Sequence, residues 1–219
     1  KIEREVLQPA IAALRKRGID YRGVLYAGLT IAPNNEFKVL EFNCRFGDPE
    51  TQAILPLLET PLEDLLIACC EQRLSQMPPL QWKNGVAACV VATASGYPGA
   101  YQKGQVISGI ESAEAMGACV FHAGTKIKAE GSEGAQGAEG ENIHSPHTPS
   151  LVTDGGRVLG VTGIGEDFEA AIALAYSALN RISFEGMYYR RDIGHHLKGA
   201  RRSECVAPHP PVVAPRVEE

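Results

Sequence analysis

In the run Glu41-Phe42-Asn43-Cys44-Arg45, a carboxylate, a carboxamide and a guanidinium recur at every second residue. An extended strand turns alternate side chains to one face, so these three are expected to stand in a row. Leu40, Phe42, Cys44 and Phe46 would then turn the other way, into a core. Carboxylate and amide oxygens are hard ligands, suited to a Mg²⁺ ion shared with a substrate phosphate. An arginine in third place can grip a carboxylate or a phosphoryl oxygen through two parallel N–H bonds. On spacing alone, a solvated amphipathic strand also accounts for the pattern.

Positioning such a row requires a hairpin, and the neighbouring sequence supplies one. Gly23 to Ile31 and Phe37 to Asn43 are β-rich runs, joined by the turn formers Ala32-Pro33-Asn34-Asn35-Glu36. Ahead of them, Ile2, Val6, Ile11 and Leu14 recur at helical spacing up to Lys16, and Gly18 closes that helix. Behind them, Thr60-Pro61-Leu62-Glu63 has the form of a capping box opening a helix to about Leu74. Ser75-Gln76-Met77-Pro78-Pro79 breaks that helix and marks a domain boundary. Further strands are expected over Val86–Ala94, Ala118–His122 and Arg157–Ile164, a helix over Phe168–Arg181, and a last strand at Tyr188-Tyr189-Arg190. Runs of strands with a few helices indicate an α+β fold.

Composition narrows the function classes. The chain has 219 residues, 44% hydrophobic and 21% charged, with 21 Lys and Arg against 26 Asp and Glu. A net charge of −5 argues against a dedicated nucleic-acid or membrane-surface binder. No apolar run is long enough for a membrane span, and Lys1-Ile2-Glu3-Arg4-Glu5 is too charged for a signal peptide. The chain reads as soluble and intracellular, and its first residue, Lys rather than Met, points to processing or to a fragment. The six cysteines, Cys44, Cys69, Cys70, Cys89, Cys119 and Cys205, form no C-x-x-C pair, and four sit in apolar runs that read as core. They are expected to be reduced. Cys119 with His122, and His144 with His147, lack a second ligand pair, so structural zinc is not expected.

Arg45-Phe46-Gly47-Asp48-Pro49-Glu50-Thr51-Gln52 after Glu41-Phe42-Asn43 resembles the signature of the phosphoribosylamine–glycine ligase family, the glycinamide ribonucleotide synthetases. Tyr21-Arg22-Gly23-Val24-Leu25-Tyr26-Ala27-Gly28-Leu29 resembles the strand preceding it. Ala94-Ser95-Gly96-Tyr97-Pro98-Gly99, Val120-Phe121-His122-Ala123-Gly124-Thr125, Gly155-Gly156-Arg157-Val158-Leu159 and Asp192-Ile193-Gly194 follow in family order. The resemblance covers about residues 1–197 and only the C-terminal half of the family's length. It implies an ATP-grasp ligase of purine biosynthesis, which joins glycine to 5-phosphoribosylamine as ATP becomes ADP and phosphate, by way of an acyl phosphate. Glu41 and Asn43 would bind Mg²⁺ or Mn²⁺ on the ATP phosphates. Arg45 would stabilise the acyl phosphate or hold a substrate group. Asp48 would contact the amine or the sugar, or serve only to fix the Gly47-Asp48-Pro49 turn.

The resemblance divides the chain into the C-terminal part of an ATP-grasp domain, residues 1–78, and a small mixed α/β C-terminal domain, residues 79–200. Residues 129–150 carry Gly131, Gly134, Gly137 and Gly140 and a single large apolar side chain, Ile143, and read as a flexible insertion. Residues 201–219, with four prolines, read as a disordered tail. The N-terminal half, with the loop over the nucleotide phosphates, is the missing partner. Without it the fragment is expected to be inactive. The competing reading is a non-catalytic binding or regulatory module that keeps the fold. The cytoplasm is the default compartment, with an organelle open if a targeting peptide precedes the chain.

Overall fold

The computed structural model describes residues 1–128 and 150–195, which fall into two compact units, residues 1–83 and 84–195. Apart from Ser150, the expected insertion over 129–150 lies outside the described residues, as does the tail over 201–219.

The first unit opens with a π-helical turn, Glu3–Leu7, that runs into α1, Gln8–Lys16. Pro9 has no N–H for the Glu5 carbonyl, and the wider turn accommodates it. Gly18, at φ +70°, ends the helix in the left-handed conformation that glycine adopts without steric cost. β1, Tyr26–Ile31, and β2, Phe37–Asn43, form the expected antiparallel hairpin. Its turn is closed by the Ala32 N–H on the Glu36 carbonyl at 2.8 Å.

The pairing steps from Gly28↔Glu41 to Leu29↔Val39, which makes Leu40 the extra residue of a β-bulge. The expected alternation fails there. Leu40 is 69% exposed and Phe42 46%, so the apolar side of β2 is not a core within this unit. A two-stranded sheet has nothing of its own to lay across that face.

A short helix α2, Thr51–Ile54, follows, and then α3, Leu62–Cys70. The capping box at Thr60 does not form: Pro61 is the N-cap, and Thr60 Oγ1 accepts instead from the Gln81 N–H at 2.7 Å. The helix stops at Cys70, short of Leu74, because Gln72 turns left-handed at φ 57° and the Arg73 N–H returns to the Ala68 carbonyl at 2.9 Å. Arg22 Nη1 donates to the Cys70 carbonyl at 2.6 Å, placing a cation on the negative end of α3. The break at Ser75–Pro79 lies inside this unit, since the Lys83 N–H returns to the Leu57 carbonyl at 2.8 Å.

The second unit is built on a three-stranded antiparallel sheet in the order β3 (Val86–Thr93), β7 (Arg157–Gly165), β4 (Cys119–His122). As the middle strand, β7 buries both faces, and Val158, Leu159, Val161 and Thr162 have no exposure. Helix α5, Phe168–Leu179, lies on the sheet through Ala171, Ala175, Ala178 and Leu179, one stripe at helical spacing. Asp167 caps it, its Oδ1 accepting from the Ala170 N–H at 2.8 Å. Glycine lets strand and helix touch: a Cβ on Gly163 would lie 2.6 Å from Ala175 N.

A short helix α4, Ile110–Glu114, and a second hairpin of β5, Thr125–Lys128, with β6, Ser150–Thr153, complete the unit. Lys128 pairs with Ser150, which is therefore a strand residue. Tyr188 forms only an isolated bridge to Thr93, so the expected last strand is absent among the described residues.

Candidate functional site

Glu41 and Asn43 end β2, while Arg45 falls in the bend two residues beyond it, just ahead of the Gly47-Asp48-Pro49 turn, and so is not in the strand row expected of it. The expected sharing of a face is realised for the first two: Asn43 Nδ2 donates to Glu41 Oε1 at 2.9 Å. Across the hairpin, Glu41 pairs with Gly28 and Asn43 with Tyr26. Gly28 leaves the flank of Glu41 open, and a Cβ there would stand 3.2 Å from Glu41 Cγ.

Arg45 Nη1 donates to the Phe46 carbonyl at 2.8 Å. Asp48 Oδ1 accepts from Gln52 Nε2 at 3.1 Å, which ties the turn to the helix after it. Thr51 reinforces the turn, its N–H reaching the Gly47 carbonyl at 3.0 Å and its hydroxyl donating to the same oxygen.

Two residues outside the expected set join the site. Burial raises the Tyr26 phenol above its usual value, a hydrogen bond to Glu50 and the charges of Glu50 and Glu41 add to the rise, and Arg45 opposes it. Glu50 in turn folds back on Gly47, where a Cβ would strike its carboxylate. Tyr26 thus links the strand to the turn. The hairpin register, which places Tyr26 opposite Asn43, was the signal that could have found it.

The donor set can be weighed against a divalent cation. Glu41 and Asn43 offer a carboxylate and an amide oxygen side by side, hard donors carrying one negative charge. Mg²⁺-type sites characteristically use one or two such ligands and complete their shell with water and phosphate oxygens, so the pair fits. No cluster of three or more His, Cys, Asp or Glu able to hold a metal occurs among the described residues. None of the described cysteines is in a disulfide, and Cys44 and Cys70 are exposed rather than core. No described helix is long and apolar enough to cross a membrane.

Known proteins place these observations. A family profile described as "Phosphoribosylglycinamide synthetase, C domain" matches residues 87–196, and its ATP-grasp (A) domain counterpart matches residues 1–51. The phosphoribosylamine–glycine ligase of Nostoc sp. is 59% identical over 196 residues, which cover 90% of this chain and 42% of that protein. The trifunctional purine biosynthetic protein adenosine-3 of Gallus gallus is 44% identical over 195 residues, 89% of this chain and 17% of that protein. A crystal structure of the Thermotoga maritima phosphoribosylamine–glycine ligase superposes with a TM-score of 0.68 at 33% identity, covering 87% of this chain and 41% of that one. The chain therefore spans less than half the length of these relatives. Its fold is the C-terminal part of an ATP-grasp domain followed by a small mixed α/β domain. Two successive domain profiles of one family match the chain in order, over residues 1–51 and 87–196, and the chain belongs to the phosphoribosylglycinamide synthetases.

Proposed function

We propose that the chain is the C-terminal portion of an ATP-dependent carbon–nitrogen ligase that joins glycine to 5-phosphoribosylamine in purine biosynthesis, forming glycinamide ribonucleotide, ADP and phosphate. The observation that carries this reading is the Asn43–Glu41 contact at 2.9 Å on a strand that leads straight to Arg45 and the Asp48 turn. Glu41 and Asn43 would hold Mg²⁺ or Mn²⁺ against the ATP phosphates. When bound, the ion supplies charge neutralisation for phosphoryl transfer. Arg45 would release the Phe46 carbonyl and turn its fork to the glycine carboxylate or the acyl phosphate, where charge develops. Asp48, steadied by Gln52, would meet the amine or the sugar. Tyr26 would position the row by holding Glu50 away from it.

In this reading residues 1–83 belong to the ATP-grasp domain and 84–200 to the domain after it, with an insertion over 129–149 and a tail over 201–219. The partners are these small molecules, with no role for nucleic acid or membrane, and the cytoplasm is the compartment. Turnover requires an upstream half that brings the nucleotide loop and covers the exposed side of β2.

The test is a chimera in which residues 1–195 replace the matching part of the Nostoc relative. The chimera should release ADP only with glycine and 5-phosphoribosylamine both present. Glu41→Gln in it should raise the Mg²⁺ concentration for half-maximal rate, with partial recovery in excess metal. A folded, inactive chimera would favour the non-catalytic module instead.

A further inference from the structure

In the second unit, the turn after β3 and the segment around Glu185 border a cleft of about 620 Å³ lined by Ser95, Gly96, Tyr101, Gln102, Gln105 and Glu185. That volume falls within the roughly 300–1,000 Å³ of small-molecule sites.

The walls are held from behind. Tyr97 and Tyr101, with ring centroids 6.3 Å apart, both pack on Gly156, where a Cβ would lie 2.8 Å from Tyr97 Cε2 and 3.0 Å from Tyr101 Cε1. Gly186 abuts Ser95 closely enough that its Cβ would lie 3.0 Å from Ser95 Cβ. The Gln105 N–H donates to Thr153 Oγ1 at 3.1 Å and the Gly104 N–H to the Thr153 carbonyl at 2.7 Å, which fixes the opposite side. The polar side chains of the lining are not spent in the same way. Ser95, Tyr101, Gln102, Gln105 and Glu185 make no side-chain hydrogen bond within the described residues.

The formal charge of that set is one-sided, while its two amides and two hydroxyls can donate as well as accept. Glu185 carries the single formal charge of the lining. Lys103, beside it in sequence to Gln102, is held at 3.6 Å by Asp154, which also holds Lys126 at 3.4 Å. A carboxylate, two amide oxygens and a serine oxygen accept hydrogen bonds, and a tyrosine ring attracts cations over its face. An anion entering the cleft would face Glu185 with no cation in the lining to offset it.

We propose that this cleft binds a small organic cation rich in N–H donors, of the guanidinium or primary ammonium class. Glu185 is its counter-charge, Gln102, Gln105 and Ser95 are further acceptors, and Tyr101 is the aromatic wall. The site lies wholly within the second unit and stands independently of the ligase reading.

Agmatine, which carries both cationic groups, is the probe, titrated by calorimetry into the 219-residue chain. It should bind saturably, and tetramethylammonium, with the charge but no donors, should bind more weakly. Glu185→Gln should weaken agmatine about fivefold, the range for a partly solvated charge pair, while the melting temperature stays at the wild-type value. Gln102→Ala should weaken it independently. Glutarate binding as tightly as agmatine, or unchanged agmatine affinity in both variants, would overturn the proposal.

Discussion

Gly163 stands on β7 beneath α5, and alanine there drives a methyl into the helix backbone. Its φ is not in the left-handed region, so alanine is conformationally allowed. By itself that exchange would stabilise by about 0.4–1 kcal/mol through the unfolded chain. The steric cost is larger. The added Cβ collides with the Ala171 carbonyl oxygen and lies 2.6 Å from Ala175 N and 3.0 Å from Leu174 Cβ. Restoring ordinary contact with the Ala171 carbonyl requires α5 to recede by roughly 1.2 Å, and a gap of about 1 Å already forfeits about half of the dispersion attraction across it. The stripe that would lift is Ala171, Ala175, Ala178 and Leu179, all fully buried. Overpacking costs typically about 1–3 kcal/mol, and a methyl driven into helix backbone belongs at the upper end, so after the gain above is subtracted the net effect is about 2 kcal/mol of destabilisation. For a unit of this size that lowers the melting temperature by about 8 °C. Scanning calorimetry reads it directly. Gly165→Ala meets the same helix at Ala171 N, so the double variant should lose less than the sum of the singles, because a helix already displaced accommodates a second methyl. A Gly163→Ala melt within about 2 °C of wild type would refute the close-contact reasoning.

Three further outcomes are expected. In the chimera, Arg45→Lys should lower kcat by about 10²–10³ with unchanged metal dependence, since it removes a planar donor aimed at developing charge, and a normal kcat would exclude Arg45 from the chemistry. Tyr26 should ionise above the ordinary phenol value, seen as a late tyrosinate absorbance change that Tyr26→Phe abolishes. Because the folded value is the higher one, the stabilisation is complete below the ordinary tyrosine pKa and is lost as pH climbs through the folded value; a change at the ordinary value would contradict the Tyr26–Glu50 contact. Replacing residues 129–149 by Asn-Gly should preserve the second unit, because Lys128 and Ser150 are register partners that a two-residue turn can join. Roughly three halvings of loop length favour the folded state by about 2 kcal/mol, so the melting temperature should hold or rise, and a steep fall would mean that the replaced segment packs.

Where periodicity coincided with packing, the sequence was legible. The apolar run of β7 and the small-residue stripe of α5 describe surfaces that meet within one unit, and the β1–β2 hairpin forms over the two runs expected of it. The errors arose where a local pattern had a distant competitor. Thr60 has a capping sequence, but the Gln81 N–H takes its hydroxyl. Leu40 and Phe42 have a core pattern, but a bulge breaks the alternation and the sheet ends at two strands. β5, Thr-Lys-Ile-Lys, has one apolar residue and is a strand only because β6 pairs with it. In the site, spacing alone implied the Glu41–Asn43 pair, whereas Tyr26 and Glu50 entered only through hairpin register and the fold-back over Gly47.

The open side of the β1–β2 hairpin also governs how the chain behaves as a solute. Val39, Leu40, Phe42 and Ile31 stand 40–69% exposed on a sheet whose two strands pair only with each other among the described residues. Unpaired strand edges beside bare β-branched and aromatic side chains are templates for intermolecular strand addition. The ledge that presents Glu41 and Asn43 is therefore also the adhesive part of the molecule. The exposed apolar face and the proposed metal-binding pair, Glu41 and Asn43, sit on opposite sides of the same seven residues, Phe37–Asn43. A charge placed at Leu40 to keep the isolated chain in solution would thus be carried one residue from Glu41, and on the proposed reading solubility and metal binding are coupled along this strand.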